Sequence, residues 1–386
     1  MIVKTLIGVK KALSGHLPGL PRAISVGSGI GGRGVEDGTL DSPRARGIKD
    51  MTSYHRGDAS MDDAQAPLVS IIISSYNDRE NLYECLSSLR KLDYPRYEVI
   101  VVDAGSTDGT PEMVKENFPE VRLVEAGRIG IGEAINTGIR HARGDYLVLE
   151  LNTDEVVDKD WLKALVRAMD SSSDVGIVVG KRLVYDTNTM ECVAGGVQYL
   201  TGRLTCMGER SGGTGGRRAT EDLEWACIFL VKREVIERIG LFDEDYYIYL
   251  EDIDFCLRAR RAGFKIVFTP DALSWHKGQA VIGKRSHKRY YYLYRNTIRL
   301  VIKNFDIPYM ISSLVWWLAI RPFLYAIFAF PPIRRLVSAV FPGSAPQVTL
   351  GQLWVLLKAI VWNIRNLRRT IQSRYKHLPL CRRKVL

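Results

Sequence analysis

Six cysteines in 386 residues, with no CxxC and no paired spacing among them, suggest neither a zinc site nor a disulfide framework. Cys85, Cys192, Cys206, Cys227, Cys256 and Cys381 read instead as mostly buried and reduced, which points to the cytosol. The opening MIVKTLIGVKKALSGHL has the spacing of a short amphipathic helix, but it lacks the long apolar core and cleavage pattern of a secretory signal. Acids are nearly missing from one region. From Lys277 to Leu386 there are 20 Lys and Arg against a single acid, Asp306.

The formal charge of +11 therefore belongs to the C-terminal third, and the first 276 residues are net acidic. A basic tail alone is compatible with nucleic acid. Here the cations are interleaved with Trp, Leu, Ile and Phe, which suits an anionic membrane surface and argues against a nucleic-acid partner.

Residues 1–66, with SVGSGIGGRGVEDGTLDSPRARG, have no apolar period and are expected to form a disordered or loosely ordered extension. From Pro67 the pattern changes. LVSIIISSY (68–76), YEVIVVDAG (97–105), VRLVEAG (121–127) and YLVLEL from Tyr146 read as buried strands. Residues 79–92, 111–118, 130–142 and about 158–170 between and after them read as helices. Strands alternating with helices at this spacing predict an α/β fold with a mostly parallel sheet flanked by helices. Ligands of such sheets bind beyond the carboxyl ends of the strands. That is where polar residues gather: Tyr76, Asn77 and Asp78 after the first strand, Asp103 after the second, and Glu150, Asn152, Asp154 and Glu155 after the fourth.

In this order, VSIIISSYND, EVIVVDAGSTDGT, GIGEAINTGIRHARGDYLVLELNTDE and FDEDYYIYLEDIDFCLRARRAGFKIVFTPDALSWH resemble the family 2 glycosyltransferases, and within them the rhamnosyltransferase-like branch. The resemblance covers about residues 67–305. It implies a GT-A nucleotide-sugar-binding fold, a nucleotide-sugar donor, a divalent cation (Mg2+ or Mn2+) and inversion at the anomeric carbon. By the same resemblance Tyr76, Asn77, Asp103, Asn136 and Asn152 fall on the nucleotide-sugar side. Asp154 matches a metal-binding acid and His276 a residue that returns to the metal or diphosphate. Trp225 matches a segment lining the acceptor pocket, Asp252 the catalytic base and Glu251 its partner. Asn152 stands where the family usually has a first acid, and Glu150 where it is usually apolar.

The residue types suit that chemistry. A nucleoside diphosphate leaving group develops charge that Mg2+ or Mn2+ neutralises through phosphate oxygens and one or two carboxylates. A carboxylate that removes the acceptor's hydroxyl proton contributes roughly 10²–10⁴-fold. Bland alternatives exist: Asn152 and Asp154 as caps of the following helix, Glu251 and Asp252 as acids at a helix N-terminus, and Trp225 as core. The glycine-rich GERSGGTGGRRATED (208–222) reads as a mobile loop near donor or acceptor rather than a phosphate loop. FKIVFTPDALSWH reads as a strand with an exit at Pro270.

Residues 306–386 are expected to form a helical, membrane-associating region. YMISSLVWWLAIRPFLYAIFAF (309–330) is interrupted by Arg321-Pro322, which favours a kinked interfacial arrangement over a span. Residues 349–376 are amphipathic and increasingly basic. The expectation is an inverting glycosyltransferase at the cytoplasmic face of the membrane, extending a lipid-linked or cell-surface glycan. A polyprenyl-phosphate sugar synthase and a catalytically inactive scaffold of the same fold are the alternatives.

Overall fold

The computed structural model describes residues 65–207, 223–278, 286–332, 335 and 348–381. The chain divides into two compact units, Met1–Ser60 and Met61–Leu386, and every described residue lies in the second. The expected extension at 1–66, apart from its last two residues, and the loop at 208–222 lie outside the described residues.

Strand β1 (Val69–Ser75) reads VSIIISS and is buried almost throughout. Its apolar residues alternate between two cores, Ile71 and Ile73 on one face and Ile72 on the other. β2 (Tyr97–Asp103) repeats the pattern, with Val99 and Val101 opposite Ile100 and Val102. Helices α1 (Arg79–Leu89), α2 (Thr110–Asn117) and α3 (Ile131–His141) connect β1, β2, β3 (Arg122–Glu125) and β4 (Tyr146–Leu151). Such strands need cover on both sides, which the two cores supply. Each fully buried Ile contributes about 1.5–3 kcal/mol.

After β4 come β5 (Glu155–Val157), α4 (Trp161–Met169) and β6 (Val175–Val184). A hairpin, β7 (Ala194–Gln198) and β8 (Arg203–Cys206), pairs with the short β9 (Trp225–Ala226) in a second sheet. β10 (Phe229–Lys232), α5 (Arg233–Ile239), α6 (Glu251–Arg261) and β11 (Lys265–His276) complete the α/β region. The main sheet has the order β3-β2-β1-β4-β10-β6-β11-β5. β1, β2, β3 and β4 are parallel, so the ends of β1, β2 and β4 share one edge.

Three expectations need correction. Cys192, just before β7, and Cys206 at the end of β8 form a disulfide at the end of the hairpin, where Gly195 pairs with Cys206. Hairpin register, and not sequence spacing, brings them together, so the cysteines no longer argue for a reducing compartment. Pro270 does not end its strand. β11 bulges outward between Phe268 and Leu273 and then rejoins β6, pairing Ser274 with Arg182 and His276 with Val184. Nor does Arg321-Pro322 break its helix: α8 runs unbroken over Ile307–Ala329. A π-helical turn at Trp316–Ile320, just before Pro322, accommodates the missing N–H.

The helix before it, α7 (His287–Asn304), packs on the α/β core. The two cations near its C-terminal end are buried and paired. Arg299 reaches Asp243 (2.9 Å) and Asp245 (2.7 Å), and Lys303 reaches Asp243 (2.7 Å) and Asp254 (2.9 Å). By contrast, α8 leaves Ile307, Ile311, Val315, Leu318 and Phe323 exposed, and by length and composition it is apolar enough to cross a membrane. Its one charge, Arg321, turns inward among the rings of Trp317 (4.2 Å), Tyr294 (4.8 Å) and Tyr325 (5.1 Å). α9 (Leu350–Arg365), opened by a Thr349–Gln352 capping box, exposes Leu350, Trp354, Leu357, Val361 and Ile364 along one stripe. α10 (Leu367–Cys381) follows it.

Candidate active site

The site lies at the carboxyl ends of β1, β2 and β4. Ser75 of β1 pairs with Asp103 of β2, so the turns that follow meet side by side. Asp103 is 2% exposed; its Oδ2 accepts from the amides of Gly105 (3.0 Å) and Ser106 (2.9 Å). Gly105, at φ 84°, supplies the left-handed step this turn requires. The other oxygen, Oδ1, is buried without a partner, an arrangement suited to receiving a donor from a ligand. Tyr76 is exposed, with the Arg128 guanidinium 5.8 Å from its ring. Asn77 ties the two turns together: its Oδ1 accepts from Thr107 N (2.7 Å) and its own amide donates to Ser106 Oγ (2.8 Å). Asn77 is thus a brace of the site.

β4 ends in a bulge. Ile71 pairs with Val148 but Ile73 with Leu151, which inserts one extra residue in β4. Glu150 lies in this bulge with φ 65°. Bulges beside sites re-aim side chains, and Glu150 leaves the apolar pattern to point an oxygen, buried and unpartnered, toward Glu251 and Asp252. Burial, then the charges of Glu251 and Asp252, push its carboxyl well above the usual range.

Beyond the bulge, Asn152 is exposed and Asp154 is buried. Antiparallel pairing of β5 with β11 sets His276 against Glu155 and brings its Nε2 to 3.2 Å from Asp154 Oδ2. His276 Nδ1 lies 2.9 Å from Glu191 Oε2. Burial alone would lower the His276 pKa; hydrogen bonds to Asp154 and Glu191 outweigh it and raise the value to about 9. Arg182 lies between Glu155 (3.1 Å) and Glu191 (2.9 Å). Burial raises Glu155 to about 7 despite Arg182 and His276.

Glu251 and Asp252 open α6. Glu251 is 4% exposed, with Oε2 unpartnered. Burial and then the Asp252 charge raise it to about 8. Burial likewise raises Asp252 to about 6, opposed by a hydrogen bond from Ile253 N (2.8 Å) and by Arg182. These are acids that accept protons near neutrality.

Two expected site residues are occupied elsewhere. Asn136 is buried; its Nδ2 donates to Phe242 O (3.0 Å) and Glu244 Oε1 (2.9 Å), and its Oδ1 accepts from Phe242 N (2.9 Å). It clamps α3 to the 242–244 turn, which commits both of its amide hydrogens. Trp225 is buried and its indole N–H donates to Gly196 O (3.1 Å), so it fills the core of the second sheet. Sequence reasoning missed Glu191 and Arg182. The one signal was the polar KR that interrupts the apolar run VGIVVGKRLV.

Among the described residues no group of three or more His, Cys, Asp or Glu surrounds a cation position. The pair Asp154–His276 still fits a divalent ion shared with a substrate diphosphate, which needs only one or two protein carboxylates. Glu191 behind His276 Nδ1 stands where an orienting partner of a ligating imidazole would stand.

The parallel-dominated sheet thus carries an unpaired carboxylate oxygen at one strand end, an acid–imidazole pair beyond another, and raised acids opposite. Residues 70–240 match the family described as Glycosyl transferase family 2. Glycosyltransferase AglE of Haloferax volcanii is 28% identical over 222 residues, covering 54% of this chain and 67% of that protein. The poly-beta-1,6-N-acetyl-D-glucosamine synthase of Staphylococcus epidermidis is 27% identical over 220 residues, covering 56% of this chain. The match takes in 51% of that synthase, so the chain spans about half the length of such relatives. The solved structure of the mannosyltransferase PcManGT from Pyrobaculum calidifontis, in complex with GDP-Man and Mn2+, covers 85% of this chain and 89% of that one. Its TM-score is 0.48 and its identity 22%.

Proposed function

We propose that this glycosyltransferase moves a hexosyl or deoxyhexosyl group, with inversion, from a nucleotide sugar to a hydroxyl of a glycan or lipid-linked acceptor at the cytoplasmic membrane face. The observation that carries this reading is the acid pair of buried Glu251 and half-buried Asp252, set against Glu150 at the end of β4. The Asp103 Oδ1 accepts a hydrogen bond from the nucleoside, and the exposed Tyr76 ring offers it a stacking face. Asn152 reaches the donor from the third strand end. Asp154 and His276 are the residues that hold Mg2+ or Mn2+. When bound, the ion neutralises charge on the leaving diphosphate.

Asp252 is poised to take the proton from the acceptor hydroxyl as that oxygen attacks. Its raised pKa makes it a stronger base than a surface carboxylate while leaving it mostly ionised at neutral pH. Glu251, whose pKa lies higher, stays largely protonated below about 8 and offers a hydrogen bond instead of a second negative charge. The exposed apolar stripes of α8 and α9, and the excess of cations after Lys277, support a site held at an anionic bilayer.

Screening UDP-, GDP- and dTDP-sugars with Mn2+ identifies the donor, and NMR of the product gives the anomeric outcome. Asp252→Asn is expected to lower turnover by roughly 10²–10⁴-fold with donor affinity unchanged. Full transfer by that variant, or a product of retained configuration, would refute the assignment. A phosphate acceptor needs no base, so survival of phosphate-directed transfer in Asp252→Asn would identify a polyprenyl-phosphate sugar synthase.

A further inference from the structure

The segment that delivers Glu251 and Asp252 is unusually contorted. Tyr247, Tyr249 and Leu250 have φ values of 64°, 70° and 70°. Such conformations are costly and persist only where surrounding structure enforces them. One support comes from the donor side. Tyr247 O accepts from Ile131 N (2.8 Å), and Gly130, where a Cβ would stand 2.9 Å from the Tyr247 ring, allows this approach.

The other support is two adjacent residues in the middle of α7. Asn296 is fully buried, and its Nδ2 faces the carbonyls of Tyr246 (3.1 Å), Ile248 (2.8 Å) and Tyr249 (2.7 Å). Its Oδ1 accepts from Arg295 Nε (2.7 Å). The same guanidinium donates to the carbonyls of Asp245 (2.8 Å) and Tyr246. Both donors are therefore aimed at one short loop, the loop that carries the strain. Asn is a poor residue for a helix interior, because its amide competes for backbone partners. Here it is committed to backbone groups some fifty residues away in the chain.

Arg295 is itself held by α9. Its guanidinium lies over the rings of Tyr292 (4.8 Å) and Trp362 (4.5 Å), and its carbonyl accepts from Asn363 Nδ2 (2.9 Å). The helix with the exposed apolar stripe thus touches the residue that holds the loop.

We infer that Arg295 and Asn296 are positioning residues for glycosyl transfer, fixing the 245–250 loop so that Glu251 and Asp252 face the strand ends where the donor sits. This rests on the reading of Glu251–Asp252 as the acids that act on the acceptor. A role in stability alone gives no reason for the donors to converge on the strained loop. The inference also makes the C-terminal helices part of the active site as well as an anchor.

The test uses the full chain in vesicles containing anionic lipid, with Asn296→Ala and Arg295→Lys compared with wild type. Transfer turnover at saturating substrates, the Kd for donor with Mn2+, the pH profile and thermal unfolding are all measured. Turnover is expected to fall about 10²-fold, the effect of misplacing reacting groups by about 1 Å. Donor Kd should hold, because the donor's contacts lie on β1, β2 and β4. The acidic limb of the profile should move to lower pH as the loosened acids become solvated. Arg295→Lys keeps the charge but loses the fork, and it decides the matter if Asn296→Ala does not fold. Variants that transfer as well as wild type, or whose losses in turnover, donor affinity and folded fraction run in parallel, would overturn the inference. A wild-type chain that transfers from no donor would instead overturn the functional reading beneath it.

Discussion

The two sides of the cleft are built by different means. At the nucleoside end of the donor side, around Asp103 and Asn77, side chains are satisfied by main-chain amides a few residues away, as Asp103 is by Gly105 and Ser106, or by the adjoining turn, as Asn77 is by Thr107. On the transfer side, the loop from Asp243 to Leu250 is held by side chains of α7: Arg295, Asn296, Arg299 and Lys303. The first construction is local and tolerates loss of a single group. The second puts several charges in one buried cluster, where removing a member leaves its partners uncompensated.

Lys303→Met should show that contrast most strongly. It strips a buried cation from both Asp243 and Asp254, and a loss of about 3–5 kcal/mol in unfolding free energy is expected from urea titration. Asp103→Asn, the matching change on the donor side, should leave stability nearly unaltered. It should weaken donor binding by about 1.5–3 kcal/mol, read by calorimetry, because a charged acceptor is replaced. A Lys303→Met protein as stable as wild type, or an Asp103→Asn protein that unfolds, would erase the distinction.

The smallest effect expected is one of pH. Glu251 and Asp252, near 8 and near 6 in the folded chain, bind more protons folded than unfolded from about pH 4 upward. Unfolding free energy therefore falls as pH rises toward 8 on their account. Asp254 acts in the opposite sense. Burial would raise it, but Lys303 and Arg258 hold it near 2, so its contribution is present above about pH 4 and lost as pH drops toward 2. Asp252→Asn should thus gain melting temperature relative to wild type between pH 5 and pH 7. A constant difference across that range would show that the acid is not perturbed.

The same contrast explains what could be read before the structure was known. The donor side was legible because its determinants are close in sequence: an apolar run of period two, then Asp or Asn with glycines and hydroxyls at the turn. Tyr76, Asp103 and Asp154 come to one edge because parallel strands end together. The transfer side was legible only as the resemblance of its Glu-Asp motif. Nothing near Asn136 announces a bond to Phe242, 106 residues away. Cys192 and Cys206 are joined by hairpin register, which no spacing rule encodes. Pro270 and Pro322 were read as breaks. A strand bulge and a wide helical turn absorb each of them, and these are adjustments that propensity does not register.

Arg321 gives α8 a rotational key. Rolling the helix about its axis would pull the guanidinium from between Trp317, Tyr294 and Tyr325 and from its hydrogen bond to the Tyr325 hydroxyl (2.7 Å). Whatever medium covers the outer side consequently meets the same uncharged row each time.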